Sequence, residues 1–527
     1  MSKITSYLRQ HLAGEVRDDA STRNYFSSDE GIFTAPSLFT IYPRTTNDVR
    51  KSARFAWRMA ERGAILPLVA RGLGLNRVSA AVGDVTLALP AHMARILEFD
   101  PKLKLIRVQP GLTLAALNEA AATYGLKFRV SDDNNLATIG GLLGSNAPSR
   151  TVTRYGAIGD QVDRVEVVLS NGEVIQTGRL NKRELSAKKG LQTMEGEIYR
   201  AVDALIDENA DRVADLGDNL PFALNRVKTT DDFDLTPLFI GSEGTLGVIT
   251  QVILRLDRVS NDSVFIATAL HEQSLADVAD QLSTFEPSEL SFITGGTLNL
   301  LERLGDASWH QLTDSRPSAL VFAEFDDHKS AKKAKKALKA LTSLGVDDVK
   351  LASDFEDQAT LRSMRDSPIT LTNFNEHGVV APAIGADLRV QPSRLPEFIE
   401  KVQTLFAKAH IEGGVWGDLS AGVVNAQPLL NPTNFGQKQA MIKLITELRL
   451  AANDFSAPEI NQTVNGRLGS IFISELYDKD ALKLFADVKI IFDPFGILNP
   501  GVKFGLTNNE LANSIKSDLT HDRFLEF

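Results

Sequence analysis

The reading turns on Gly241-Ser242-Glu243-Gly244-Thr245-Leu246-Gly247-Val248-Ile249-Thr250. This string follows an apolar run, Leu238 to Ile240, and leads into an alternating segment, Val252-Ile253-Leu254-Arg255-Leu256. Its three glycines leave bare backbone, against which something bulky can lie. Alone, a glycine loop between strands is weak ground. Here two glycine-rich stretches stand upstream, Arg71-Gly72-Leu73-Gly74-Leu75-Asn76 and Ala137-Thr138-Ile139-Gly140-Gly141-Leu142-Leu143-Gly144-Ser145-Asn146-Ala147. A fourth motif, Asp493-Pro494-Phe495-Gly496-Ile497-Leu498-Asn499-Pro500-Gly501, lies near the C-terminus.

The first upstream loop contains Gly72-Leu73-Gly74, the start of a Rossmann fingerprint. That fingerprint needs a glycine where Arg77 stands, then a helix whose N-terminus takes the pyrophosphate. Neither requirement is met, so a nicotinamide site is rejected. The loop reads either as a diphosphate cradle built from consecutive backbone N–H groups or as a plain strand–turn. The second stretch reads either as a place of close ligand approach or as a helix start packed tightly on a sheet. Asp132, Asp133, Asn134 and Asn135 before it are turn residues.

The chain has 527 residues, of which 43% are hydrophobic and 24% charged, so it has material for two or three domains. No run approaches the roughly 18 apolar residues of a transmembrane helix. The polar start, Met1 to Glu30, shows no signal-peptide apolar region, which makes a cytoplasmic protein the expectation. The formal net charge of −10 argues against nucleic acid as a partner. One basic run, His328 to Lys339, reads as the solvated face of an amphipathic helix, with weak peripheral contact to an anionic membrane surface or an acidic partner as the alternative. The absence of cysteine excludes disulfides, thiolate metal sites and cysteine nucleophiles. Redox chemistry would then need an organic cofactor or a metal held by oxygen and nitrogen.

Periodicity predicts a helix over Thr46 to Gly63, a strand over Ile65 to Val69, strands over Val85 to Leu89, Ile96 to Phe99 and Leu103 to Gln109, and a helix over Leu112 to Tyr124 closed by Gly125. Val162 to Leu169 and Val174-Ile175 form a hairpin across Ser170-Asn171-Gly172-Glu173. From Val259 onward, strand and helix patterns alternate through Leu351 and again over Gly385 to Ala409. This is an α+β chain with a ferredoxin-like second domain. Asp480 to Ile491 is a final helix, and Thr507 to Phe527 a polar tail. No internal repeat is visible.

Taken in order, Arg71–Asn76, Gln109-Pro110-Gly111, Ala137–Ala147, Arg154-Tyr155-Gly156, Gly241–Thr250 and Asp493–Gly501 resemble the vanillyl-alcohol-oxidase (PCMH-type) family of FAD proteins. The branch they resemble is that of the FAD-linked D-2-hydroxyacid dehydrogenases, which includes D-lactate dehydrogenase and the glycolate oxidase flavoprotein subunit. The resemblance runs from about Tyr42 to Gly505.

It implies a two-subdomain FAD-binding domain over 36–257, a substrate (cap) domain over 258–490, a segment over 491–527 that returns to the FAD domain, and a helical extension over 1–35. Arg71, Gly72, Leu73, Gly74, Leu75 and Asn76 would hold the pyrophosphate. Thr138, Gly140, Gly141, Gly144, Asn146 and Ala147 would line the ribityl chain and ring. Glu243, Gly244 and Ile249 would meet the nucleotide and flavin, and Asn499 would come back toward the cofactor. No histidine lies between Leu68 and Val78, so FAD is expected to be bound non-covalently.

Three departures limit the resemblance. The family loop usually reads Arg-Gly-Gly-Gly-Thr-Ser, and Leu73, Leu75 and Asn76 remove a glycine and two hydroxyls. Gly417-Asp418-Leu419-Ser420-Ala421-Gly422-Val423-Val424-Asn425 stands where the branch carries two metal-binding histidines, so no metal is expected. Val464-Asn465-Gly466 stands where a metal-linked histidine would be. His377, in Glu376-His377-Gly378, is then the best available base, or else a loop histidine. Arg365 reads as the substrate-carboxylate arginine or as an exposed helix charge.

The resemblance implies an FAD-dependent oxidoreductase acting on a small 2-hydroxy acid or alcohol. Electrons would pass to a quinone, a cytochrome, an electron-transfer flavoprotein or oxygen. The alternative is a catalytically degenerate flavin-binding or partner protein that keeps the fold.

Overall fold

The computed structural model describes residues 2–130, 135–217, 221–259, 262–456 and 466–516. Asp132, Asp133, Asn134, Val464 and Asn465, which the sequence reading singled out, lie outside the described residues.

Three main sheets carry the chain. The first has four strands in the order Glu15–Arg17, Phe39–Tyr42, Val85–Ala88, Leu68–Arg71. The last three run parallel and Glu15–Arg17 is antiparallel at the edge. Helix Thr46–Ala60 turns Val49, Ala53, Ala56 and Ala60 inward at helical spacing, against Phe39, Ile41, Val85 and Leu87. Each large aliphatic side chain fully buried there contributes roughly 1.5–3 kcal/mol before entropy is counted. The N-terminal segment is therefore more than a helical extension. Its two helices, Ser2–His11 and Ala20–Phe26, flank a strand of the sheet.

The second sheet has five antiparallel strands in the order Ile96–Asp100, Leu105–Val108, Val248–Arg255, Val162–Val168, Val174–Gln176. The glycine string feeds its central strand. Helix Leu114–Ala122 begins at Thr113, whose side chain accepts from the Ala116 N–H, and Leu114, Leu117 and Ala121 bury its inner face.

The third sheet has seven strands, all antiparallel, in the order Val349–Ala352, Val264–Leu270, Ala319–Phe325, Glu289–Thr294, Gly413–Asp418, Val423–Pro428, Gly385–Arg389. Its first four strands have ferredoxin-like order. Its last three, with helices Leu395–Ala409 and Phe435–Asp454, repeat the strand–helix–strand–strand–helix path without a closing strand. The repeat is one of topology, which needs only matching periodicity and no shared residues.

The basic run forms helix Ser330–Ser343, with Ala334, Ala337 and Leu341 buried and Lys332, Lys335, Lys336 and Lys339 exposed. The C-terminal segment is more than a polar tail. Helix Asn508–Asn513 buries Leu511 in the core of the third sheet, and Lys516 Nζ donates to the Gly31 carbonyl at 2.6 Å. Among the described residues, no helix is long and apolar enough to cross a membrane.

Candidate active site

The glycine-rich stretches meet. Gly140 N donates to the Pro110 carbonyl at 2.8 Å, and a Cβ on Gly140 would lie 2.7 Å from the Pro110 Cβ. Thr138 caps helix Ile139–Ser145, its hydroxyl accepting from the Gly141 N–H at 3.2 Å. A Cβ on Gly72 would fall 2.4 Å from that same hydroxyl, so the first loop touches the second only because residue 72 has no side chain. The string from Gly241 then crosses the helix end. Gly241 N donates to the Leu143 carbonyl and Glu243 N to the Gly144 carbonyl, each at 2.8 Å.

Charged and amide side chains around this cradle hold it in shape. The Arg71 guanidinium is almost wholly buried and donates to the Ser28 carbonyl at 2.9 Å and the Ala81 carbonyl at 3.3 Å. It anchors the N-terminal segment through these bonds. The Glu243 carboxylate accepts from the Gly466 N–H at 3.0 Å and pairs with buried Lys503 at 3.4 Å. Burial pushes that carboxyl up, and Lys503 opposes the shift. Asn499 Nδ2 donates to the Ala80 carbonyl at 2.8 Å and the Glu243 carbonyl at 2.7 Å. Lys489 Nζ reaches Asp493 at 2.6 Å, the Thr245 carbonyl at 2.7 Å and the Leu498 carbonyl at 2.8 Å. The C-terminal motif also extends the first sheet, Leu68 N donating to the Ile497 carbonyl at 2.7 Å and Asn499 N to the Leu68 carbonyl at 2.9 Å.

A cavity of about 370 Å³ opens between this cradle and the third sheet. Arg71, Gly72, Leu73, Gly74, Leu75, Asn76, Thr138, Gly140, Gly141, Gly144, Ala147, Glu243, Gly244 and Ile249 all line it. Asn146 and Asn499 are outside the lining. Asn146 closes the helix in the left-handed conformation at φ 47°, and Asn499 clamps the cradle from behind.

The opposite wall is built from side chains on strands and one helix. Asp418, 2% exposed, ends strand Gly413–Asp418 opposite Val423, and Asn425 pairs with Trp416 on the same hairpin. All but Asp418's neighbouring turn line the cavity, together with Asp387, Gln427, Arg449 and Arg150. Asp418 Oδ1 accepts from the Ser420 hydroxyl at 2.7 Å and from the Ala421 N–H, while its buried Oδ2 has no hydrogen-bond partner among the described residues. Burial first, and then the nearby Glu289 carboxylate, push the Asp418 carboxyl up to about 7. Asn425 Oδ1 accepts from the Asp387 N–H at 3.1 Å. Arg449 is 5% exposed, and burial pushes its guanidinium down to about 10. Burial also lowers Arg389 on the adjacent strand, and Asp387 opposes the shift of both arginines.

Two residues expected to act lie elsewhere. His377 sits exposed on a hairpin turn between Asn375–Glu376 and Val379–Val380, away from the cavity lining. Arg365 is buried rather than exposed, yet it lies behind the wall. Its guanidinium pairs with Glu289 at 2.8 Å and with Asp366 at 2.8 Å, and the residue is not among those that line the cavity. Arg150 reaches the cavity from the same network, pairing with Asp366 at 2.6 Å and Glu289 at 3.6 Å. Arg449 and Asp387 escaped the sequence reading. One signal was available for Arg449, which sits on the stripe of Met441, Ile445, Leu448 and Ala452, where a lone charge is out of place.

Comparison with known proteins agrees with this architecture. Residues 37–178 match the FAD binding domain family and residues 261–502 the FAD linked oxidases, C-terminal domain. D-2-hydroxyglutarate dehydrogenase of Escherichia coli is 26% identical over 94% of this chain and 50% of its own length. The chain thus spans about half the length of the first curated relatives it matches. D-lactate dehydrogenase of Archaeoglobus fulgidus is 23% identical over 89% of this chain and 91% of its own. Among solved structures, 4-ethylphenol oxidase from Gulosibacter chungangensis superposes with a TM-score of 0.65 at 16% identity, covering 96% of this chain and 98% of that one. The chain belongs to the FAD-linked oxidases, with a PCMH-type FAD-binding domain, an FAD-oxidase C-terminal domain and FAD as its cofactor.

Proposed function

We propose that this chain oxidises the CH–OH group of a small 2-hydroxy acid. The observation that carries the reading is the pair of arginines around Asp387. Two guanidiniums, one of them in the cavity wall, are buried beside Asp387, which opposes the lowering that burial imposes on each. A substrate carboxylate is an anion of the kind that a guanidinium in a cavity wall binds by charge-assisted hydrogen bonds. Asn425 and Gln427 beside it offer amides to a hydroxyl or carboxylate. The relatives named for D-2-hydroxyglutarate and D-lactate point to the same substrate class.

The cradle fits FAD, because a Cβ at Gly72 or Gly140 would fill the contacts that shape it. The backbone of Gly72 to Asn76 would hold the pyrophosphate, and Thr138 to Ala147 with Gly244 and Ile249 would lie against ribityl chain and ring. Bound there, FAD supplies the acceptor for the hydride from the substrate carbon. FAD would be bound without a covalent histidine link, a reading supported by a lining that holds no histidine among the described residues. With Asp418 and Asn425 where the branch carries histidines, the reaction would proceed without a catalytic metal.

The test is anaerobic reduction of the purified yellow protein by a panel of 2-hydroxy acids, with matched alcohols that lack the carboxylate. Bleaching of the flavin band by the acids alone is expected. Bleaching by the alcohols alone, or by neither set, would sink the reading. Exhaustive chelation should leave the rate unchanged.

A further inference from the structure

We propose that Asp418 is the catalytic base, its Oδ2 receiving the hydroxyl proton of the substrate; this rests on the 2-hydroxy acid reading above.

Among the described residues, three acidic residues line the cavity, and two are committed. Glu243 is held by the Gly466 N–H and Lys503. Asp387 serves the two arginines. Asp418 is held through one oxygen only. Ser420 and Ala421 fix Oδ1, which sets the direction of the carboxylate and leaves Oδ2 buried with no partner among the described residues. A buried acceptor with no donor costs free energy, and such costs are retained where a ligand completes the bond. A substrate hydroxyl is a donor of the required kind. The strands also place Asp418 in the same wall as Arg449, so one ligand can present its carboxylate to the arginine and its hydroxyl to the acid.

The charges around Asp418 suit the task. Burial and Glu289, on the adjoining strand at Ser291's side of the pair, favour the protonated form. Arg150, from the loop after helix Ile139–Ser145, and the Ala421 and Ser420 donors favour the ionised form. The balance sets the carboxyl at about 7, where a base is both available and strong enough. In the step, the O–H proton goes to Oδ2 and the C2 hydrogen leaves with its two electrons to the oxidant. C2–O becomes a carbonyl, so the product is the 2-oxo acid, and Asp418 is left neutral.

The experiment compares the FAD-loaded wild type with Asp418→Asn. Wild-type flavin reduction by a 2-hydroxy acid should rise with pH through about 7. The variant should be reduced on the order of 10²–10⁴-fold more slowly while keeping its FAD and its affinity for the 2-oxo acid product. Infrared difference spectra of the ligand-free protein should show a carboxyl band that titrates near 7 and vanishes in the variant. A variant reduced at the wild-type rate overturns the assignment alone. So does a wild-type rate that is flat through neutrality, a measurement that needs no folded variant. A wild type reduced by no 2-hydroxy acid overturns the functional reading and this inference with it.

Discussion

The two walls of the cavity are built on opposite plans. On the cofactor wall, glycine-rich main chain forms the surface, and Arg71, Glu243, Asn499 and Lys489 spend their hydrogen bonds bracing the loops. On the facing wall the main chain is tied up in a seven-stranded sheet, and side chains do the facing: Asp418, Asn425, Gln427, Asp387 and Arg449. A long, fixed cofactor is gripped by geometry that any backbone can supply. A small substrate has to be told apart by charge and by hydrogen bonds, which only side chains provide.

The contrast can be broken or sharpened by substitution. The largest effect is expected from Arg449→Gln, which leaves FAD content untouched while weakening substrate binding by roughly 2–5 kcal/mol, read as a higher KM. An equal loss of FAD would show that the two walls are not independent.

Next comes the proton on Asp418. Its carboxyl is raised above the ordinary value of 3.8 to about 7, so between these values the folded chain keeps a proton that the unfolded chain has released. Stability through this group therefore falls as pH rises over that window, by up to about 4 kcal/mol. Asp418→Asn removes the dependence. Thermal melts of wild type and variant should converge in mild acid and separate toward neutral pH, with the variant the more stable. A constant gap would contradict the buried, proton-holding carboxyl.

On the cofactor wall, Gly72→Val forces a side chain into Thr138 and should lower FAD affinity by roughly 1–3 kcal/mol with the substrate wall intact. The smallest effect is expected from Leu75→Thr. It restores a hydroxyl that the family loop usually carries and should tighten FAD by roughly 0.5–1.5 kcal/mol, measured by titrating the FAD-free protein.

The same contrast explains what the sequence disclosed. Backbone recognition leaves a trace in the chain, because glycine at positions 72, 140 and 244 is demanded by local geometry and sits beside its cause. The α+β class and the FAD cradle were legible for that reason. The substrate wall was not. Asp418 and Asn425 were noticed as substitutions, but what they face depends on a hairpin register fixed by a sheet assembled from distant strands. Arg449 looked like one charge in a long amphipathic helix until the helix packed. His377 attracted attention because histidine suits proton transfer, yet its place on an exposed turn follows from Gly378 and the hairpin rather than from chemistry. The edge strand Glu15–Arg17 was missed because three residues carry too little alternation to stand out.

The clamp at Asn499 has a consequence for how the protein is made. Its bond to the Ala80 carbonyl joins positions 419 residues apart, and the same turn completes the sheet that begins the cofactor wall. A growing chain on the ribosome therefore carries the loop from Gly72 to Asn76 long before it carries the piece that locks the cradle. The first sheet and the cradle are completed only when the C-terminal turn has been made, and until then the edge at Leu68 stands without its neighbour.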